Sequence, residues 1–379
     1  MQSAQRLNGI SRLDVSLELA KKAWKVAVTD GQRLNPSVVR VDAPDMWVRL
    51  QQLLQLLAGF LAKWALPADT QIVIIYEAGQ DGFWIARALQ AKGVQVHVVD
   101  AASVPVPRHA RRAKTDRLDA LRLLEELRAW LRGERRELRM LYIPSEEDEE
   151  RRLLTRERGL LQKEMTQHVD RARKLLALHG CTEEIDGGFA QRLAGGEVRR
   201  ADGRPLPEEL VQWLLREDER LKLAHRHFAG VEKTLMHQLP EPVQRCIAVL
   251  SQLCGVGWVG ATRIVLELFW RDFSNRRQVG ACVGLVPQPY SSGDSQTDQG
   301  ISKQGNRRVR ALLIEMAWMW LRYQPQSALA QWFARRTSGS GKRGRRIAIV
   351  AVARRLAIAL WRLLKEGVLP EGAQLKRAA

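Results

Sequence analysis

The sequence predicts an α/β domain at the N-terminus, a long antiparallel helical arm, and a mostly α-helical C-terminal domain. Three observations carry this prediction. Short apolar strands alternate with helical spacings as far as residue 131, the order of an α/β sheet domain. Two long amphipathic runs then flank a Gly-rich stretch at 180–206. The last third combines helical spacing with most of the chain's excess positive charge.

Ile10 to Val15 and Ala23 to Val28 read as strands, with Asp30-Gly31 as a hairpin turn. Pro44 and the spacing of Trp47, Leu50, Leu54, Leu57 and Leu61 predict a helix. Ile72 to Tyr76 is a continuous β-branched run, the pattern of a strand buried on both faces. A short helix from Phe83 to Ala91, a strand from Val94 to Val99 and a helix from Lys114 to Leu131 complete a domain at 1–135. Pro144-Ser145 and the acids after it start a helix whose apolar stripe runs Leu154, Leu161, Met165, Val169, Ala172 and Leu176. Leu210, Leu214, Leu221, Ala224, Phe228, Val231 and Leu235 form the matching stripe, which places a coiled-coil arm at 145–240. Residues 241–370 read as the helical domain, broken by a loop at 284–305, and 371–379 as a tail.

Charge narrows the function. The 379 residues hold 61 Lys and Arg against 42 Asp and Glu, a net +19. Residues 241–379 hold 22 basic and 8 acidic side chains, whereas 121–240 balance to zero. Nucleic acid is therefore the expected partner, held by the last third. A solvated basic face is the plainer alternative. Lys342, Arg343, Arg345 and Arg346, in a Gly/Ser setting from Ser338, suit a flexible phosphate-contacting loop. Four cysteines with no CxxC pair exclude a disulfide scaffold and a cysteine-based zinc site. No segment has the uninterrupted apolar length to span a bilayer, and a cytoplasmic, nucleoid-associated protein is expected.

Four carboxylates stand out. Asp14 lies inside the first expected strand, where an acid is costly unless it meets a metal or a donor. Glu77 follows the buried strand Ile72 to Tyr76, at the end where ligands collect in open α/β sheets. Asp116 and Asp119 are three residues apart and share a helical face. Together they offer oxygen ligands for one or two Mg²⁺ ions, with Mn²⁺ as a substitute, in phosphoryl transfer. Taken singly, each reads first as a solvated acid, with Asp116 and Asp119 pairing with a nearby Arg or Lys. The order, strand acid, second strand acid, then paired helix acids, resembles a RuvC-like RNase H-fold domain with a DEDD metal site.

In the last third, Leu253-Cys-Gly-Val-Gly257 resembles a helix-hairpin-helix turn, with Gly255 and Gly257 leaving backbone N–H groups open to a phosphate. Ser291 and Ser292 precede Gly293, and Lys303, Asn306, Arg307, Arg308 and Arg310 follow. An exposed serine among cations can attack a DNA phosphate. A Ser/Gly turn before a basic helix that only grips the backbone is the alternative.

Leu13-Asp-Val-Ser16, Tyr76-Glu-Ala-Gly79, Lys114 to Ala120, Leu253 to Gly257, Gly284-Leu-Val-Pro287, Ser292-Gly293 and Gly300 to Asn306 together resemble the insertion-sequence 110 family, with its 1111 relatives. These are bacterial DEDD transposases described as bridge-RNA-guided recombinases. The resemblance implies that Asp14, Glu77, Asp116 and Asp119 bind metal and that Ser292 is the nucleophile, although the Ser291-Ser292 doublet leaves that open by one residue. It also implies DNA and a noncoding guide RNA as partners, a dimer or tetramer, composite sites, and phosphoserine intermediates. A Mg²⁺-dependent Holliday-junction-type nuclease, a site-specific DNA invertase and a non-catalytic nucleic-acid-binding protein are the competing readings.

Overall fold

The structure, a computed structural model, describes residues 11–33, 35–79, 82–105, 115–134, 138–292 and 295–377, with backbone alone at 289–292 and 295–299. Ile10, Lys114, Gly293 and the last two residues of the expected tail lie outside the described residues. The chain divides into two compact units, Met1–Ser145 and Glu146–Ala379.

The first unit is built on six strands: β1 (Arg12–Leu19), β2 (Trp24–Thr29), β3 (Ser37–Val41), β4 (Gln71–Glu77), β5 (Gln95–Val99) and β6 (Met140–Leu141). They lie in the order β3-β2-β1-β4-β5-β6. The β1–β2–β3 meander is antiparallel, while β1, β4 and β5 run parallel. Strand β1 departs from expectation: it continues through Val-Ser-Leu-Glu to Leu19, four residues past Val15. Alternation along it explains the two faces. Leu13, Val15 and Leu17 join Ile74, Tyr76, Leu50, Leu53 and Leu57 in a core under α1 (Met46–Lys63) and α2 (Trp84–Gln90). Asp14, Ser16 and Glu18 take the opposite face, where α3 (Asp116–Leu131) packs Leu123 and Leu127 on Val73, Ile75 and Val99.

The second unit opens with α4 (Glu146–Ala177), which packs along α6 (Glu208–His237). Between them α5 (Phe189–Ala194) sits in the crossing. That crossing builds a core of its own: Phe189, Leu193, Val198 and Leu206 close over Ala172, Leu176, Leu210 and Leu214. Helices α7 (Glu241–Ser251) and α8 (Trp258–Glu267) follow, then α9 (Arg276–Cys282), α10 (Arg307–Tyr323), α11 (Ala328–Thr337) and α12 (Lys342–Glu366). They share one core, with Val352, Ala353, Leu356, Ala357 and Leu360 of α12 fully buried in it.

Two expectations are corrected. The loop at 284–305 contains an antiparallel ribbon, β7 (Pro287–Ser292) and β8 (Ser295–Ile301). Proline at 287 and 289 and the lack of an apolar run hide a two-stranded ribbon, which needs no buried face of its own. The basic stretch 342–346 is the first turn of α12 instead of a flexible loop. The described part of the tail is also tied down: Cys254 N–H donates to the Gln374 carbonyl, Lys376 N–H to that of Gln252, and the buried Gln324 amide bridges Cys254 and Gln374. Among the described residues no helix is long and apolar enough to cross a membrane.

Candidate functional site

The four expected metal ligands do not assemble as a set. Asp14 stands opposite Val73 on β4, and Glu77 lies four positions further along that strand. At about 3.3 Å per residue this separates their backbones by ~13 Å. Asp14 is 2% exposed and already neutralised. Arg12 forks onto both of its carboxylate oxygens, and Arg128 Nε lies 3.9 Å from Oδ2. Two guanidinia on a buried carboxylate leave little charge to attract a divalent cation.

Glu77, Asp116 and Asp119 belong to the other end of the sheet. Glu77 ends β4, and Thr115 caps α3 with its hydroxyl accepting from Leu118 N–H, which puts Asp116 and Asp119 in the first helical turn. Their charges complement the helix dipole there. Asp116 is exposed; Asp119 is half-buried and 3.8 Å from Arg122. Oxygen donors on adjacent elements suit a hard cation, but among the described residues no three His, Cys, Asp or Glu side chains converge as metal ligands. The expected quartet, with Asp14 in it, does not fit a metal.

In the second unit the ribbon is rooted by two interlocking loops. Lys303 N–H donates to the Gly284 carbonyl, Ser302 N–H to Val286, and Asn306 N–H to Cys282. Ser292 is the last residue of β7 and pairs with Ser295 across the ribbon end. Asn306 is committed to structure: its side chain caps α10 by accepting from Arg308 and Val309 N–H. Arg310 is likewise a brace, donating to the carbonyls of Val283 and Gln304. Burial lowers its pKa, and the neighbouring charge of Arg307 adds to that effect. Lys303 and Arg307 are exposed.

Glu267, which no sequence motif marks, lies beneath these residues at 2% exposure. It accepts from Thr155 Oγ1 at 3.0 Å and faces Asn306 Nδ2 and Arg308 Nε. A lone acid at a helix end carries no sequence signal for such a role. Gly257 caps α8, and Gly255 approaches the Met319 carbonyl, so the α7–α8 turn is tightly packed on α10.

Beside the foot of the ribbon, where Pro287, Gly300 and Ile301 line it, lies a cleft of about 880 Å³. Arg276, Arg277, Arg343, Arg346, Arg354 and Arg355 line it, with no acid among its described lining residues. Arg355 lies over the Trp332 ring at 4.2 Å. Lys342, Arg343, Arg345 and Arg346 lie in the first turn of α12, with no acidic residue in that turn. Cations at the positive end of a helix dipole cost stability and are relieved by a bound polyanion.

Comparison with known proteins converges on one assignment. Residues 247–332 match the family described as "Transposase IS116/IS110/IS902 family", and residues 19–180 match the DEDD transposase family of IS110 elements. A Sinorhizobium fredii protein described as a putative transposase, y4rJ, is 39% identical over 96% of this chain and 94% of its own length. The chain belongs to the IS110 family of transposases. The transposase of insertion sequence IS1111A from Coxiella burnetii is similar at 26% identity over 77% of each chain.

As a transposase, the chain is an enzyme that cuts and joins DNA, and its DEDD family designation points to divalent-metal dependence. The cleft yields a direct expectation for DNA. Replacing both Arg343 and Arg346 by Ala lowers the transposase's DNA affinity about tenfold or more. It also reduces the slope of log affinity against log salt by about two, one for each phosphate left without its arginine. Fluorescence anisotropy across a salt series measures both, and an unchanged slope would place the phosphate-binding cations elsewhere.

Proposed function

We propose that this IS110-family transposase moves its insertion sequence by cutting and rejoining DNA strands through a covalent phosphoserine at Ser292. The supporting observation is the place of that residue, at the end of a two-stranded ribbon rooted beside a cleft lined by six arginines. In the step, Ser292 Oγ attacks a DNA phosphorus and the bond to the leaving nucleoside oxygen breaks. The serine proton passes to solvent or to that oxygen, and rejoining reverses the exchange. The arginines at the foot of the ribbon hold the DNA backbone that flanks the reacting phosphate.

Divalent-metal use, Mg²⁺ or Mn²⁺, belongs to the same reading: Glu77, Asp116 and Asp119 would hold such an ion, which would supply charge stabilisation to the attacking and leaving oxygens. The two helices α4 and α6 act as a coiled-coil arm for homo-oligomer assembly, and α7–α8 as a helix-hairpin-helix element on DNA. A guide RNA shares the basic surface with DNA. Sequencing the RNA that co-purifies with the transposase tests that part, and the absence of a discrete element-encoded RNA would remove it.

Trapping on a cleavable DNA end decides the chemistry. Wild type and Ser291→Ala form a protease-sensitive protein–DNA adduct, and Ser292→Ala lowers its rate by roughly 10³-fold or more. An adduct that persists in Ser292→Ala overturns the assignment. Strand cutting with no adduct in wild type favours the hydrolytic junction nuclease.

A further inference from the structure

We propose that Glu18, and not Asp14, is the first-strand carboxylate of the metal-binding acid set. This rests on the reading above that a divalent cation takes part. It replaces the one member of the expected quartet that the fold sets apart.

Strand register is the first argument. β1 and β4 are parallel, with Ser16 beside Ile75 and Leu17 beside Tyr76. The next pair in that register is Glu18 and Glu77, on backbones about 4.8 Å apart. Alternation puts both side chains on the face that carries Ser16, the face covered by α3. Asp14 shares that face but sits at the other end of it.

The direction of α3 is the second argument, and two contacts fix it. Ser16 Oγ donates to the Ala120 carbonyl at 2.5 Å, and Arg128 reaches Asp14. The helix therefore runs antiparallel to β1, with its C-terminal half over Asp14 and its N-terminus toward Glu18. From the Ser16–Ala120 contact, Glu18 is two strand residues or about 6.6 Å along β1. Asp116 is four helical residues or about 6 Å along α3, in the same direction. Asp119 adjoins the contact itself. Glu18, Glu77, Asp116 and Asp119 thus gather at one end of the sheet, where the parallel strands finish. That is where ligands bind in open α/β sheets.

Charge is the third. Asp14 is buried between Arg12 and Arg128, whereas Glu18 is half-buried at the accessible end. The cations around this end are Lys21 and Lys22 in the β1–β2 turn, Lys25, which stands opposite Glu18 across β1–β2, and Arg117 and Arg122 on α3, the last near Asp119. Each is a single ammonium or guanidinium at the rim, unlike the bidentate clamp on Asp14. Glu18 and Glu77 both have polar or charged partners already, which a cation would displace. The four acids do not converge as ligands in the structure as it stands; on adjacent backbones, rotation about side-chain torsions would bring the Glu18 and Glu77 carboxylates together.

Mn²⁺ titration of the full-length protein, followed by calorimetry, tests this without any DNA reaction. Wild type binds Mn²⁺; Glu18→Gln and Glu77→Gln each weaken it by at least tenfold, Glu18→Asp stays within about threefold, and Asp14→Asn stays within about twofold. Iron-generated hydroxyl radicals should cut the chain near residues 18, 77 and 116, and the cuts should vanish in Glu18→Gln. If Glu77→Gln loses Mn²⁺ while Glu18→Gln keeps it, the proposal fails and the metal reading stands. If wild type binds no Mn²⁺, or neither glutamate matters, the metal reading fails and the proposal with it. Loss of Mn²⁺ in a folded Asp14→Asn variant, with Glu18→Gln unaffected, returns the role to Asp14.

Discussion

Gly305→Ala collapses the root of the ribbon and with it strand cutting and joining. Gly305 holds φ +80°, and a Cβ there would lie 2.1 Å from the Cys282 carbonyl oxygen, an atom of rigid backbone. Its neighbour in the interlock, Gly284, at φ +64°, would place a Cβ 1.8 Å from the Gln304 carbonyl oxygen. Neither clash is relieved by turning a side chain, so the two loops must part. Separation breaks the Asn306 to Cys282 and Lys303 to Gly284 bonds and adds the left-handed strain of a Cβ. The expected cost is about 3 kcal/mol or more for either substitution, at the upper end of single-residue effects. Hydrogen exchange should show diminished protection confined to 282–306, with α12 still protected. A variant that keeps that protection and full joining activity would show that the interlock is dispensable.

Glu217→Ala loosens the α4–α6 pair. Its side chain is 2% exposed and gathers His168 Nδ1 and Arg171 at 2.6 Å, Arg220 at 2.8 Å and Trp213 Nε1 at 3.2 Å. Removing the acid leaves these donors around an empty site. Loss of a fully buried partner costs about 3–5 kcal/mol, but Arg171 and Arg220 are near half-exposed and rehydrate. About 2 kcal/mol is expected.

The pH dependence carries a definite sign. Burial pushes the Glu217 carboxyl up, but hydrogen bonds from His168 and Trp213 and the charge of Arg171 hold it below its ordinary value. A depressed carboxylate contributes its stability above the unfolded value, about 4.3, and loses it as pH falls through the lower folded value. Wild type therefore loses stability in the α4–α6 pair on acidification below about pH 4, and Glu217→Gln flattens that slope. Hydrogen exchange of residues 158–235 between pH 3 and 7 checks this, and parallel slopes would exclude Glu217 as the group responsible.

Much of the sheet domain was legible because each buried strand has a local signature. Ile72 to Tyr76 is apolar throughout, and β4 is buried across its centre. The long helices α4 and α6 were legible from their stripes, whose leucines at 161, 176, 214 and 221 are buried. The ribbon was not, since alternation is absent and its pairing is fixed by the glycine interlock at its root.

The acid site shows how one boundary shifts a chemical assignment. With β1 expected to end at Val15, Asp14 was the acid inside the strand and Glu18 lay beyond it; with β1 ending at Leu19, Glu18 stands near the strand's end. The rule that selected Glu77, an acid where a parallel strand finishes, selects Glu18 as soon as that end is known. Strand ends depend on pairing partners, and β1 continues because β2 and β4 both pair with it through Leu17.

By itself the sequence determined the composition-level facts: a polyanion partner from +14 in the last third, the residue types for phosphoryl transfer, and the periodicities of helices and buried strands. Those depend only on neighbours along the chain. The tertiary structure alone decided which carboxylates share an end of the sheet, that Asn306 and Arg310 brace the ribbon, and that six arginines from separate segments face one cleft. Register, helix direction and close backbone approach are relations between distant segments, and no local pattern encodes them.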